Sequence, residues 1–252
     1  MGSTALKGCG TALVTPFTRD GALDETALRR LVRFQIQEGI HFLVPCGTTG
    51  ESPTLTHQEH LRVVEVALEE ARQASRKVPV FAGAGGNNTA KIVSLIRELE
   101  AMGVDGVLSV SPYYNKPTQE GIFQHYRVLS DATRLPIIVY NVPGRTGSNI
   151  EPATLARLAA LPSIAGVKEA SGNITQVAEI LNVVPEGFAV LSGDDAITLP
   201  LMALGGVGII SLASAYNPPS FQLSMLSLTL PQPLDQTWLE DTHSTPCMAY
   251  SP

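Results

Sequence analysis

One lysine in this chain stands where a lysine should not be. Lys168 interrupts Ile164-Ala165-Gly166-Val167, an apolar run of the kind that becomes a buried strand. A lysine is almost never fully buried without a partner. Desolvation disfavours its charged form, and an amine that is neutral near pH 7 can attack a carbonyl carbon. The residue types leave two readings open: a Schiff-base nucleophile, or a lysine that pairs with Glu169 or snorkels to a rim. In a strand Glu169 faces away from Lys168, which weakens the pairing version.

Other chemistry-bearing residues gather at the ends of apolar runs. Tyr140 closes one run, and a phenol there could pass protons to a carbinolamine; a packed core tyrosine is the alternative. Thr48 and Thr49 lie in the turn Gly47-Thr48-Thr49-Gly50-Glu51, where hydroxyls and backbone N–H groups can converge on a carboxylate or simply shape the turn. Arg145 offers a guanidinium for bidentate carboxylate binding, or for a surface ion pair. Asp194 and Asp195 are adjacent, so they project in different directions, and no third metal ligand is near; Asp194 reads as a turn cap. His57-Gln58-Glu59-His60 falls short of the HExxH zinc pattern and reads as a solvated helix face. No metal site is expected.

The elements that must position these residues follow from the spacing. Eight short apolar runs alternate with helix-period stretches: Thr11–Phe17, Phe42–Cys46, Val78–Ala82, Gly106–Val110, Pro136–Tyr140, Ile164–Lys168, Phe188–Leu191 and Gly206–Leu212. Continuous rather than alternating apolarity is the mark of parallel strands covered on both faces. Helix starts are expected at Asp24-Glu25, Thr56 with Glu59, Asn87, Thr118, Glu151-Pro152 and Asn173, and helix ends at Gly39, Gly103 and Gly187. The expectation is an α/β chain folded as a (β/α)₈ TIM barrel, whose active site lies at the C-terminal strand ends. A doubly wound open sheet is the alternative, but its GxGxxG turn is missing after the first run, and Gly83-Ala84-Gly85-Gly86 lacks the rest of a P-loop.

Composition bounds the rest. The chain has 252 residues, 44% of them hydrophobic and 16% charged, enough apolar matter for a large core. Its formal net charge of −6 argues against nucleic acid or an anionic membrane as partner. Three cysteines without CxxC spacing fit a reducing compartment, and no apolar run approaches a membrane span or a signal-peptide core. A cytoplasmic location is expected.

Taken together, the segments from about Gly8 to about Ser214 resemble the dihydrodipicolinate synthase and N-acetylneuraminate lyase superfamily. The motifs are Gly10-Thr11-Ala12-Leu13-Val14-Thr15-Pro16-Phe17, Cys46-Gly47-Thr48-Thr49-Gly50-Glu51, Ser111-Pro112-Tyr113-Tyr114-Asn115-Lys116-Pro117, Tyr140-Asn141-Val142-Pro143-Gly144-Arg145-Thr146-Gly147, Val167-Lys168-Glu169-Ala170-Ser171-Gly172 and Ser192-Gly193-Asp194-Asp195. The resemblance implies a pyruvate-dependent class I lyase in which Lys168 forms an imine with pyruvate and no cofactor is needed. It implies that Thr48 and Thr49 hold the pyruvate carboxylate, with Gly193 and the backbone of Ile210 lining the site. It implies a proton relay of Tyr140 and Tyr114 linked through Thr49, with Tyr114 supplied by a neighbouring subunit of a homo-oligomer, a dimer or tetramer. Arg145 in Gly-Arg-Thr-Gly matches the branch that binds aspartate semialdehyde and feeds lysine and diaminopimelate synthesis. Sugar-acid aldolases and neuraminate lyases of the superfamily are the alternative. Ser52, His57, Asn87 and Tyr113 match an allosteric lysine site, where Lys91 replaces the family's glutamate and argues against lysine feedback.

Residues 1–214 are therefore expected to form the catalytic barrel. Residues 215–252 form an atypical tail in which the family's eighth helix and C-terminal helical domain are missing or altered. That tail has six of the 18 prolines and no glycine, lysine or arginine. A shifted reading frame would account for the departure, and a non-catalytic truncated barrel is a further alternative function.

Overall fold

The computed structural model describes residues 6–216. Eight parallel strands run β1 Gly8–Ala12, β2 Phe42–Val44, β3 Phe81–Gly83, β4 Gly106–Val110, β5 Ile137–Asn141, β6 Ile164–Glu169, β7 Ala189–Ser192 and β8 Gly208–Ser211. They form one sheet in the order β2-β1-β8-β7-β6-β5-β4-β3. The barrel closes between β2 and β3 through a single bridge, Leu43 to Val80, with Leu43 N–H donating to Pro79 O at 2.9 Å and Gly83 N–H to Pro45 O at 2.8 Å. Pro45 and Pro79 have no N–H to return, so this seam cannot continue as a regular ladder.

Helices fill the crossovers: α1 Glu25–Gln37, α2 His57–Gln73, α3 Thr89–Met102, α4 Gln119–Ala132, α5 Pro143–Thr146, α6 Pro152–Ala159, α7 Ile174–Val183 and α8 Thr198–Ala203. Caps at Asp24, Thr118, Glu151 and Asn173 stand where the sequence placed them, and Thr56 with Glu59 closes a full capping box. The α3 cap is Asn88, one residue after the expected Asn87. Gly39 and Gly103 take positive φ at helix ends, whereas Gly187 lies in the turn beyond α7, whose C-cap is Val184. The tail expected to differ from the family lies, beyond Tyr216, outside the described residues.

The first strand is the largest displacement from expectation, Gly8–Ala12 rather than Thr11–Phe17. Glycines argue against a strand by propensity, yet here they make room for a neighbour. A Cβ on Gly10 would lie 2.0 Å from the Phe42 ring. Phe42 and Phe81, edge-on with centroids 5.6 Å apart, belong to the apolar cluster inside the barrel with Ile138, Leu191 and Ile210. A larger cluster between strands and helices includes Leu28, Val32, Ile96, Leu129, Val139 and Val167. On the outside, Glu70 of α2 is buried under α1, where Arg33 donates to both carboxylate oxygens and Arg29 to one. Burial pushes that carboxyl up, but the two guanidiniums carry it below its ordinary value.

Acid should loosen this shell at a definite place. His125 of α4 is buried, with Nδ1 2.8 Å from Thr89 Oγ1 and Nε2 without a hydrogen-bond partner among the described residues. Burial lowers its pKa from 6.5 to about 4, so the folded ring stays neutral where the unfolded one takes a proton. The stability it contributes is complete above pH 6.5 and lost as pH falls towards 4, a change on the order of 3 kcal/mol at 1.36 kcal/mol per pKa unit. Urea unfolding at several pH values should show a shallower acid decline for His125→Leu than for the unaltered chain. Parallel declines would remove His125 from the account.

Candidate active site

The register of β5 against β6 pairs Tyr140 with Lys168 and Asn141 with Glu169. Strand alternation then turns Tyr140 and Lys168 into the barrel and their partners outward. Lys168 is only 7% exposed, and its Nζ lies 4.4 Å from the centroid of the Tyr140 ring. Burial lowers the amine's pKa from 10.5 to about 8, Asp195 opposes that shift, and Arg145 adds to it. Glu169 points away, so the Lys168–Glu169 pair weighed from the sequence does not form. Burial raises the Tyr140 phenol above its ordinary value, while a hydrogen bond with Thr48 and the charge of Arg145 act the other way.

A cavity of about 300 Å³ opens over Lys168 at the C-terminal strand ends and is lined by Thr48, Thr49, Tyr140, Arg145, Gly193, Asp195 and Ile210. A second, of about 240 Å³, shares Gly47, Thr48, Tyr140 and Arg145 and extends to Ser52 and Tyr113. The loop bearing the threonines is wound tightly: Gly50 N–H donates to Gly47 O at 3.1 Å, and Thr15 Oγ1 donates to Gly50 O at 2.7 Å. Cys46 and Glu51 bracket it at φ 55° and 54°, left-handed values that a side chain accepts only under such constraint. Gly193 is glycine for a reason at the site: a Cβ there would stand 2.8 Å from Lys168 Cε and 3.1 Å from its Cγ. Arg145, on the one-turn helix α5, is exposed and makes no ion pair among the described residues. A buried amine, a phenol, two hydroxyls and a guanidinium therefore share one cavity.

A sequence profile of the Dihydrodipicolinate synthetase family matches residues 5–229, most of the chain's 252 residues. The chain belongs to that family. It is 55% identical over 214 residues to 4-hydroxy-tetrahydrodipicolinate synthase of Koribacter versatilis, covering 84% of this chain and 70% of that one. The corresponding enzyme of Chloroherpeton thalassium is also 55% identical over 214 residues, with the same coverage. Among solved structures, dihydrodipicolinate synthase from Aquifex aeolicus superposes with a TM-score of 0.85 at 41% identity, over 88% of this chain and 75% of that one. The chloride-inhibited synthase of Acinetobacter baumannii, described in complex with pyruvate, gives a TM-score of 0.83 at 34% identity, over 94% and 89%.

Within this dihydrodipicolinate synthetase barrel, the other expected site residues take the following places. Thr48 is the hydroxyl that lowers the Tyr140 phenol's pKa by hydrogen bonding, and Thr49, the expected link of the relay, lines the same cavity. Tyr114 is 88% exposed with φ 75° and does not line either cavity of its own chain. Of the expected allosteric set, Ser52 and Tyr113 line the outer cavity, and Asn87 Nδ2 donates to Tyr113 O at 3.2 Å. His57 instead faces Glu98 at 2.9 Å, and Lys91 is exposed on α3. The solvated-face reading of His57–His60 holds for His57 but not for His60, which is 7% exposed because α2 turns it onto the core. Asp194 caps the turn after β7 by accepting from Ala196 N–H at 3.0 Å, as expected. Asp195 went unrecognised as a site residue; it lines the cavity, and its Oδ1 accepts from Ser211 Oγ at 2.5 Å. Only its place at the end of a strand could have pointed to it.

Proposed function

We propose that this chain is a 4-hydroxy-tetrahydrodipicolinate synthase that condenses pyruvate with L-aspartate 4-semialdehyde through an imine on Lys168. The observation that carries this is the buried Lys168 amine, pKa about 8, set over the Tyr140 ring in a cavity that also holds Thr48, Thr49 and Arg145, which makes no ion pair among the described residues. The neutral amine adds to C2 of pyruvate, and the carbinolamine loses its hydroxyl as water once a proton is delivered, a step this reading assigns to Tyr140. The imine draws electrons from the methyl carbon. Loss of a methyl proton gives the enamine, whose carbon bonds to the aldehyde of the second substrate. Attack of that substrate's own amine on the imine carbon then closes the ring and frees Lys168. Thr48 and Thr49 suit the pyruvate carboxylate, and Arg145 the second one.

In this reading residues 1–214 make the catalytic domain, and every cavity-lining residue named above precedes residue 215. A homo-oligomer fits the exposure of Tyr114, whose side chain is free to enter a neighbour's cavity. Buried, unpaired Cys9 and Cys46 suit the reducing cytoplasm, and no helix among the described residues is long and apolar enough to cross a membrane.

Arg145→Ala separates the two carboxylate sites. A charge-assisted bidentate pair is worth roughly 1.5–3 kcal/mol, so use of the semialdehyde should weaken about tenfold or more. Borohydride trapping of pyruvate should stay near the level of the unaltered chain, and Lys at 145 should rescue only part, having the charge without the fork. Loss of pyruvate trapping with the aldehyde step spared would reverse the two assignments. Preference of the unaltered chain for an uncharged sugar aldehyde would move it to the aldolase branch.

A further inference from the structure

Behind the strands that present Lys168 and Tyr140 lies a polar cluster with no part in the steps above. Asn141 and Glu169 are register partners on the outer face, each adjacent in sequence to one of the paired site residues. Both are 0% exposed. Asn141 Nδ2 donates to Glu169 Oε2 at 2.9 Å and to Asn149 Oδ1 at 2.9 Å, and Ser171 N–H donates to Glu169 Oε1 at 2.7 Å. Gln176 of α7 reaches the same carboxylate, its Nε2 donating to Oε2 at 3.4 Å, and accepts from Asn149 Nδ2 at 2.7 Å. Asn141 Oδ1 accepts from Ile150 N–H at 3.0 Å, which closes the base of the loop that carries Arg145.

A carboxylate buried with no ion-pair partner among the described residues costs more than an apolar side chain in the same place. Val139 and Val167, two residues earlier on the same face of each strand, show that apolar residues fit this layer. The register supplies what the polar groups add. The β5–β6 pairing shifts between Ile137 and Ile138, with Ile137 opposite Ile164 but Ile138 opposite Gly166. The ladder is therefore irregular at its lower end, and a slip of one residue would turn Lys168 out of the barrel.

Building on the imine chemistry proposed above, we infer that Glu169 is a positioning residue. Through Asn141 and Gln176 it locks the ends of β5 and β6, so that the Lys168 amine and Tyr140 phenol stay opposed and the Arg145 loop keeps its base. It touches no substrate. Its carboxylate only accepts, and every partner around it donates. Glu169→Gln keeps the size but sets an NH₂ group against one of those donors. Adding Asn141→Asp reverses the polarity of the partner and restores a bond between the strands, while giving up the donor to Asn149 Oδ1.

The test measures the single-turnover rate at which pyruvate becomes borohydride-trappable on Lys168, beside steady-state kinetics and urea unfolding. Glu169→Gln should slow imine formation and kcat by roughly 10- to 10²-fold, the cost of an ångström-scale misplacement, with KM for pyruvate little changed. Glu169→Gln/Asn141→Asp should recover part of that rate. Gln176→Met, which removes one donor to Glu169 and the acceptor of Asn149 Nδ2, should show the same split more weakly and serves if Glu169→Gln does not fold. A Glu169→Gln chain that traps pyruvate at the original rate overturns the inference, as does a loss that follows the unfolded fraction and is not recovered by the double variant. If the unaltered chain forms no adduct on Lys168, the imine chemistry itself has failed, and this inference with it.

Discussion

Lys168→Ala is expected to leave no borohydride-trappable pyruvate on the protein, whereas the unaltered chain gains one reduced pyruvyl group on the peptide that carries Lys168. The contrast should be complete because the other lysines offer nothing equivalent. Lys7, Lys77, Lys91 and Lys116 are all exposed, and Lys77 is held by Asp105 at 3.0 Å. Only Lys168 is desolvated, and desolvation is the largest influence on its amine. The sign of the pH dependence follows. Below a pKa of about 8 the amine is a cation and cannot add to a carbonyl, so the trapping rate should rise as pH climbs through that value and then level off. Removing Lys168 also takes a buried charge from the cavity, so the variant should fold at least as well as the parent. Mass spectrometry of the digested protein decides the matter. An adduct that persists in Lys168→Ala, or that maps to another lysine, defeats the assignment.

That Lys168 is legible in the sequence rests on one physical contrast, a lysine inside an apolar strand. The barrel was legible for a related reason, since strands covered on both faces read as unbroken apolar runs. Gly106–Val110 was placed to the residue, and Ile164–Lys168 fell one residue short. Failures came where long-range packing overrides local preference. The first run was expected at Thr11–Phe17 because glycine has little strand propensity, yet the strand begins at Gly8 and the Phe42 ring needs the space above Gly10. Partner choice was the least legible layer. Thr48 and Thr49 are equivalent as sequence, and only the winding of their loop decides which meets Tyr140. Asp195 and the Asn141–Glu169 pair depend on register between strands distant in the chain, which spacing along one strand cannot reveal.

Tyr140→Phe should lower turnover by roughly 10²–10⁴-fold, the range for loss of a positioned acid–base group, while the fold persists. The substitution is selective because the ring does separate work from the hydroxyl. Lys168 Nζ lies 4.4 Å from the ring centroid, and phenylalanine retains that aromatic face, so the amine's surroundings change little. What disappears is the phenolic proton. Burial holds the phenol above its ordinary pKa, so it is protonated at neutral pH and can deliver a proton to the departing carbinolamine hydroxyl. It can regain that proton through Thr48, the hydroxyl it meets. Imine formation should therefore slow along with turnover, and kcat and kcat/KM should fall together, as when an interaction made in the transition state is removed. Thr48→Val interrupts the same route one step out. If the two act in series, Tyr140→Phe/Thr48→Val should be little worse than Tyr140→Phe alone, because groups that work as a unit are not additive. Additive losses would place Thr48 on the pyruvate carboxylate only. Unchanged turnover in Tyr140→Phe would leave the phenol as packing and send the search for the proton donor to Asp195, the carboxyl that lines the same cavity.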